Sequence, residues 1–80
     1  MYHDGKVVLI DDVVKIHQDG SSKGVVKGIL HKGEYSESIC KNTWEQLNIG
    51  GYLIDTEFGL ILYEELNEDI SLIHRGIIIH

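Results

Sequence analysis

Eighty residues with 42% hydrophobic and 25% charged side chains make one domain, residues 1–80, at the small end of what folds unaided. A lone cysteine, Cys40, excludes an internal disulfide, so an apolar core has to hold the fold, and a cytoplasmic setting is expected. The net charge of −6 argues against a phosphate-seeking surface, and apolar runs no longer than Val7–Ile10 or Ile77–Ile79 argue against a membrane-spanning helix.

Met1–Gly5 reads as a lead-in with an Asp4-Gly5 turn, and it lacks the long apolar run of a signal peptide. Lys6–Ile10 is a short apolar run, broken by Asp11-Asp12. Val13–His17 alternates, which places Val14 and Ile16 in the core and Val13, Lys15 and His17 on the other face. Asp19-Gly20-Ser21-Ser22 is a hairpin turn leading into Lys23–His31, the longest expected strand. Gly24 and Gly28 share a face with Val26 and Leu30, and glycines inside a strand mark a bulge or a sharp bend.

Gly33–Ser38 (GEYSES) is polar and reads as an exposed loop. Cys40, Trp44 and Leu47 then fall at i, i+4 and i+7, the one helical signal in the chain. Asn42 followed by Glu45 resembles a capping box, and Gly50-Gly51 closes the segment. Tyr52–Thr56 and Leu60–Tyr63 are strands joined through Glu57-Phe58-Gly59. Glu64–Asp69 is a polar connection, and Ile70–His74 is a further strand. The tail after Arg75, GIIIH, is one more edge strand or a pairing surface through which the chain could dimerise at Ile77–Ile79.

Strands of this number, with a long glycine-bent second strand and one helical turn, resemble an SH3-like barrel. Asp12, Val14, Ile16, Asp19, Gly20, Gly24, Val25 and Val26 are similar to the entry of a KOW-type module. The resemblance covers roughly Ile10–Leu30 and implies an all-β fold: a small SH3-like barrel of about five antiparallel strands with one short helix. The expected core is Val8, Ile10, Val14, Ile16, Val26, Leu30, Trp44, Leu47, Leu53, Ile61, Leu72 and Ile73. KOW-type modules often bind RNA or ribosomal partners through basic and aromatic surfaces. Here that role would fall to Lys15, Lys23, Lys27 and Lys32 on the first hairpin.

Charge distribution points elsewhere. Between Lys41 and Arg75 there is no lysine or arginine, while Glu45, Asp55, Glu57, Glu64, Glu65, Glu68 and Asp69 all lie in that interval. Nucleic acid is disfavoured by such a half, because affinity for it rests on cations that neutralise phosphates. In composition the chain is similar to the immunity proteins of bacterial toxin systems, which are small and acidic. That likeness implies a non-enzymatic inhibitor of a basic partner such as a toxin nuclease. Tyr35 between Glu34 and Glu37 is an aromatic anchor ringed by acids, and Tyr63-Glu64-Glu65 repeats the theme. Partner contact is therefore expected from Glu34, Tyr35, Glu37, Glu45, Glu57, Glu64 and Glu65.

Catalytic equipment is not expected. His3, His17, His31, His74 and His80 show no HxH, HxxxH or HExxH spacing, and there is no CxxC, so neither a metal nor a cofactor is called for. His17 and His31 lie on or near adjacent strands and could approach one another. The helical phase of Cys40 puts it on the buried face, which suits a core thiol better than a nucleophile. Phe58, at a hairpin tip, either caps the core or stands free.

Overall fold

The computed structural model describes residues 1–17, 22–47 and 49–75. They form β1 (Val13–Ile16), β2 (Ser22–Ile29), a 3-10 turn (Leu30–Lys32), β3 (Glu34–Tyr35), α1 (Lys41–Gln46), β4 (Tyr52–Thr56), β5 (Gly59–Tyr63) and β6 (Ile70–His74). All six strands join one antiparallel sheet of order β5-β4-β2-β1-β6, with β3 on a side branch of β2. No ladder joins β5 to β6 among the described residues, so the sheet is open along its hydrogen bonds. The expected barrel of about five strands is thus a six-stranded open sheet with one short helix, and part of the polar GEYSES segment supplies the extra strand. The Asp19-Gly20 turn and the Gly76–His80 tail, including the proposed Ile77–Ile79 edge, lie outside the described residues.

β2 is the spine. Along one edge it pairs with β4 from Gly24↔Thr56 to Ile29↔Tyr52. Along the other it pairs first with β1 and then, at Gly28 and Ile29, with β3. Opposite β4 it carries an extra residue, Lys27, between Val26 and Gly28. A bulge of this kind reverses the facing of all that follows. Val26 points into the core before it, and Ile29 does so after it, which simple alternation from Val26 does not anticipate.

The core lies on one face of the sheet. Val14, Ile16, Val26, Ile29, Tyr52, Ile54 and Ile70 come from four strands, and Tyr2, Val8 and Leu66 close over them from connecting segments. Leu53 alternates to the other face, stands over Gly28, and is also fully buried. Ile10 and Leu72 are only half-buried, though packed against the cluster. Ile61 is half-buried because β5 has a neighbour on one edge alone. Ile73 is exposed, displaced by a register shift opposite Val13 and Val14.

The helix departs most from expectation. α1 spans six residues and buries none of them. Cys40 precedes it as N-cap and Leu47 follows it as C-cap, so only Trp44 of the expected stripe sits within it. Leu47 is therefore exposed, Trp44 is half-buried, and Cys40 is exposed. Asn42 lies inside the first turn and makes no capping box.

Two glycines are dictated by close approach. A Cβ on Gly51, whose φ is 113°, would stand 2.6 Å from the Tyr63 carbonyl oxygen. On Gly24 it would stand 2.5 Å from Ile54 Cγ2 and 3.3 Å from Ile16 Cδ1. Gly24 thus lets Ile16 and Ile54 meet above β2. Gly24→Ala is expected to destabilise the protein by about 1–3 kcal/mol in urea unfolding. The exposed neighbour change Lys23→Ala is expected to stay within about 0.5 kcal/mol of the parent.

Candidate functional site

The β4–β5 hairpin and the two residues after it carry three of the seven expected contact residues, Glu57, Glu64 and Glu65. Its two-residue tip, Glu57-Phe58, lies between the paired Thr56 and Gly59. The Thr56 hydroxyl shapes it, accepting from the Phe58 amide at 3.1 Å and donating to the Gly59 carbonyl at 2.9 Å. Gly59 takes the left-handed backbone (φ 108°) that returns the chain into β5. Phe58 stands free at 82% exposure, so it does not cap the core. Along β5, Leu60 and Leu62 share the outer face with Asp55 and Leu53 of β4. Leu60 and Leu62 remain 40% and 37% exposed. Beyond β5, Glu64 and Glu65 border a shallow depression with Leu62, Ile49, Gly50 and Gly51. Exposed leucines therefore lie between an acid at one end of the strand and two at the other. The ends are roughly 20 Å apart at the usual rise per residue.

Glu34 and Tyr35 do not join that surface. They form β3 on the far edge of β2. Across the ladder the order runs Glu34, Ile29, Tyr52, Tyr63, so Glu34 is roughly 14 Å from β5 at ordinary strand spacing. Tyr35 is half-buried and lines a second open depression with Ile10, Ile39 and Lys41, so a cation sits among the acids there. Glu37 is exposed in the turn that follows, and Glu45 is exposed on α1. Glu34 and Tyr35 are thus set apart from Glu57, Glu64 and Glu65 by two intervening strands, β2 and β4.

The lysines divide as well. Lys15 and Lys23 are direct cross-strand neighbours and both are exposed. Lys27, in the bulge, lies 3.7 Å from Asp11, and Lys32 belongs to the 3-10 turn at the far end of β2. His17 stands beside Ser71, whereas His31 packs edge-on against Tyr52 with ring centres 5.4 Å apart. The two histidines are at opposite ends of β2 and do not approach. The Thr43 hydroxyl donates to Cys40 Sγ at 3.1 Å and holds the thiol pKa below its ordinary value. Among the described residues no group of three His, Cys, Asp or Glu side chains is arranged to hold a metal ion, and no helix is long and apolar enough to cross a membrane.

One cluster was not anticipated. Asp12 is fully buried, and its Oδ2 accepts three hydrogen bonds. The Tyr2 hydroxyl donates at 2.7 Å, the Leu9 amide at 2.9 Å and Arg75 Nη1 at 2.7 Å. The same Arg75 nitrogen also donates to the Val7 carbonyl at 2.8 Å. Asp12 Oδ1 has no donor among the described residues. The backbone sets this up: Asp11 takes φ 71°, the Asp12 amide donates to the Leu9 carbonyl, and both aspartates pair with Val26 just before β1 begins. Sequence does hold a signal for it, since Asp12 is in phase with Val14 and Ile16 and so faces inward. Closed away from solvent, this carboxylate cannot meet a substrate, and its work is to bind three chain segments together.

The chain matches no protein-family model, and no curated protein or solved structure matches it significantly.

The cluster has a consequence at high pH. Burial, and then the hydrogen bond to Asp12, push the Tyr2 hydroxyl well above its ordinary value of 10.0, against the opposing pull of Arg75. Between that value and the raised one, the unfolded chain loses a proton that the folded chain keeps. Stability is therefore fully present below about pH 10 and falls as pH rises beyond it. Tyr2→Phe is expected to be less stable at neutral pH but to lose stability less steeply above pH 10. Denaturant curves across that range check this, and parallel slopes in the two proteins would count against it.

Proposed function

We propose that this chain is a non-enzymatic binding module that engages a basic protein partner through the acid-flanked hairpin β4–β5. The observation that carries the reading is the arrangement of Glu57, Glu64 and Glu65 around exposed Leu60 and Leu62, in a stretch without a cation from Asn42 to His74. Arg75, the next cation along, is already paired with Asp12 at 2.7 Å, though its side chain remains 45% exposed. An apolar centre with a charged rim is the usual anatomy of a protein interface. Complementary charge speeds encounter and fixes register. The most concrete form of this reading is a cytoplasmic immunity or inhibitor protein that occludes the basic cleft of a toxin such as a nuclease. Its scaffold on this reading is an SH3-like barrel. In support, four neighbouring strands, β4, β2, β1 and β6, contribute side chains to one core cluster.

A second reading has its own observation. The exposed pair Lys15 and Lys23 lies side by side on β1 and β2, a like-charge contact that costs some stability and suits a phosphate. Binding of RNA or a ribonucleoprotein would use these two, with Lys27 already engaged by Asp11.

Affinity capture from the native host, run with the parent and with Glu57→Lys, Glu64→Lys and Glu65→Lys combined, separates them. The first reading expects one basic protein held stoichiometrically by the parent, weakened by salt, and lost from a variant that melts like the parent. Retention by the variant would sink it. Salt-sensitive RNA capture that disappears with Lys15→Glu and Lys23→Glu would favour the second.

A further inference from the structure

We infer that the partner adds an extended strand to the open edge of β5, a short run of alternating apolar residues with Lys or Arg at both ends. The inference rests on the reading of a basic partner and specifies how that partner is held. β5 pairs in unbroken register with β4, from Tyr52↔Tyr63 to Thr56↔Gly59, and among the described residues it has no strand on its other side. Its alternate amides and carbonyls are thus free to template another strand.

Edge strands in natural proteins are usually blunted by a lysine, a proline or a bulge. β5 has none of these. The whole chain contains no proline, Gly59–Tyr63 contains no charge, and the β4–β5 ladder has no register shift. An edge left this bare would also pair with its own copy, and the flanking charges decide against that. In an antiparallel pairing, Glu57 of one copy would meet Glu64 and Glu65 of the other. In a parallel pairing each acid would face its own counterpart. Like charges set opposite one another are unfavourable in either case.

A strand with cations at its two ends meets acids at both ends of β5 instead. Its outward side chains would lie against Leu60 and Leu62, which are exposed on that face. This is strand addition, with backbone hydrogen bonds supplying affinity and side chains supplying choice. The other end of the sheet, β6, carries no part of the inference.

The test uses the unmodified protein and three synthetic peptides, followed by amide NMR. The first is Lys-Val-Thr-Val-Thr-Val-Lys, the second carries N-methyl groups on alternate backbone nitrogens, and the third has Glu in place of both Lys. The expected result is that the first peptide shifts the amides of residues 59–63 and slows their exchange. The second and third are then expected to bind at least about tenfold more weakly. Equal binding of the first two would overturn strand addition while leaving the acidic surface as a docking site. Absence of any shift in β5 would also overturn it, and the capture experiment would still decide independently whether a basic partner exists. Amides of β5 protected in a dimer without peptide would overturn it in favour of a second copy.

Discussion

A buried carboxylate shared by three donors is the contact on which the remaining structure depends. Asp12 sits at the entry to β1, Arg75 at the exit of β6, and Tyr2 in the segment that closes over the core. A carboxylate taken out of water without partners costs several kcal/mol. Here the Tyr2 hydroxyl, the Leu9 amide and the Arg75 guanidinium replace that water on one oxygen. The consequence is geometric as much as energetic. The Met1–Asp11 segment contains no strand, yet it is pinned through Tyr2 and Leu9 so that Tyr2 and Val8 can cover Val14, Ile29 and Tyr52. An eighty-residue chain has little apolar surface to bury, and one lid held in place makes a large difference to it.

The same contact shapes the surface. Arg75, which ends the stretch without a cation, is tied by one guanidinium nitrogen to Asp12 and the Val7 carbonyl while its side chain stays 45% exposed. Outward on β4, β5 and the connection after them, Asp55, Glu57, Glu64 and Glu65 lie around Leu60 and Leu62, with no lysine or arginine in these elements. Inside, Tyr52 and Ile54 of β4 join the core, and Leu53 is buried on the opposite face. The hairpin is therefore anchored firmly on one strand and open on the other, as the proposed docking surface would need.

Much of the fold was legible because alternation is a local property. β1, β2, β4, β5 and β6 all fall within two residues of their expected bounds, and Val14, Ile16, Val26 and Leu53 are buried as expected. Gly28 does adjoin the bulge in β2, whereas Gly24 marks a close approach of Ile16 and Ile54. What was not legible depends on contacts between distant segments. Tyr2 and Leu66 are buried only because separate connections cross the core face, and nothing in their neighbours announces it. The bulge at Lys27 turns Ile29 inward, a change of phase that one strand alone cannot reveal. The helical spacing of Cys40, Trp44 and Leu47 misled because the helix is too short to contain it. For the candidate site, the acids of the hairpin were legible from charge alone. Their separation from Glu34 is set by strand order.

Amide hydrogen exchange at Leu9 tests the account of the Asp12 cluster most directly. Val7, Val8, Leu9 and Ile10 lie in a segment with no strand, and of their amides only that of Leu9 donates to the buried Asp12 carboxylate. Leu9 is expected to exchange on the order of a hundredfold more slowly than Val7 and Ile10, at a rate close to that of the core amide of Val26. Exchange at Leu9 as fast as at its neighbours would contradict it, since the carboxylate would then not be holding the segment down.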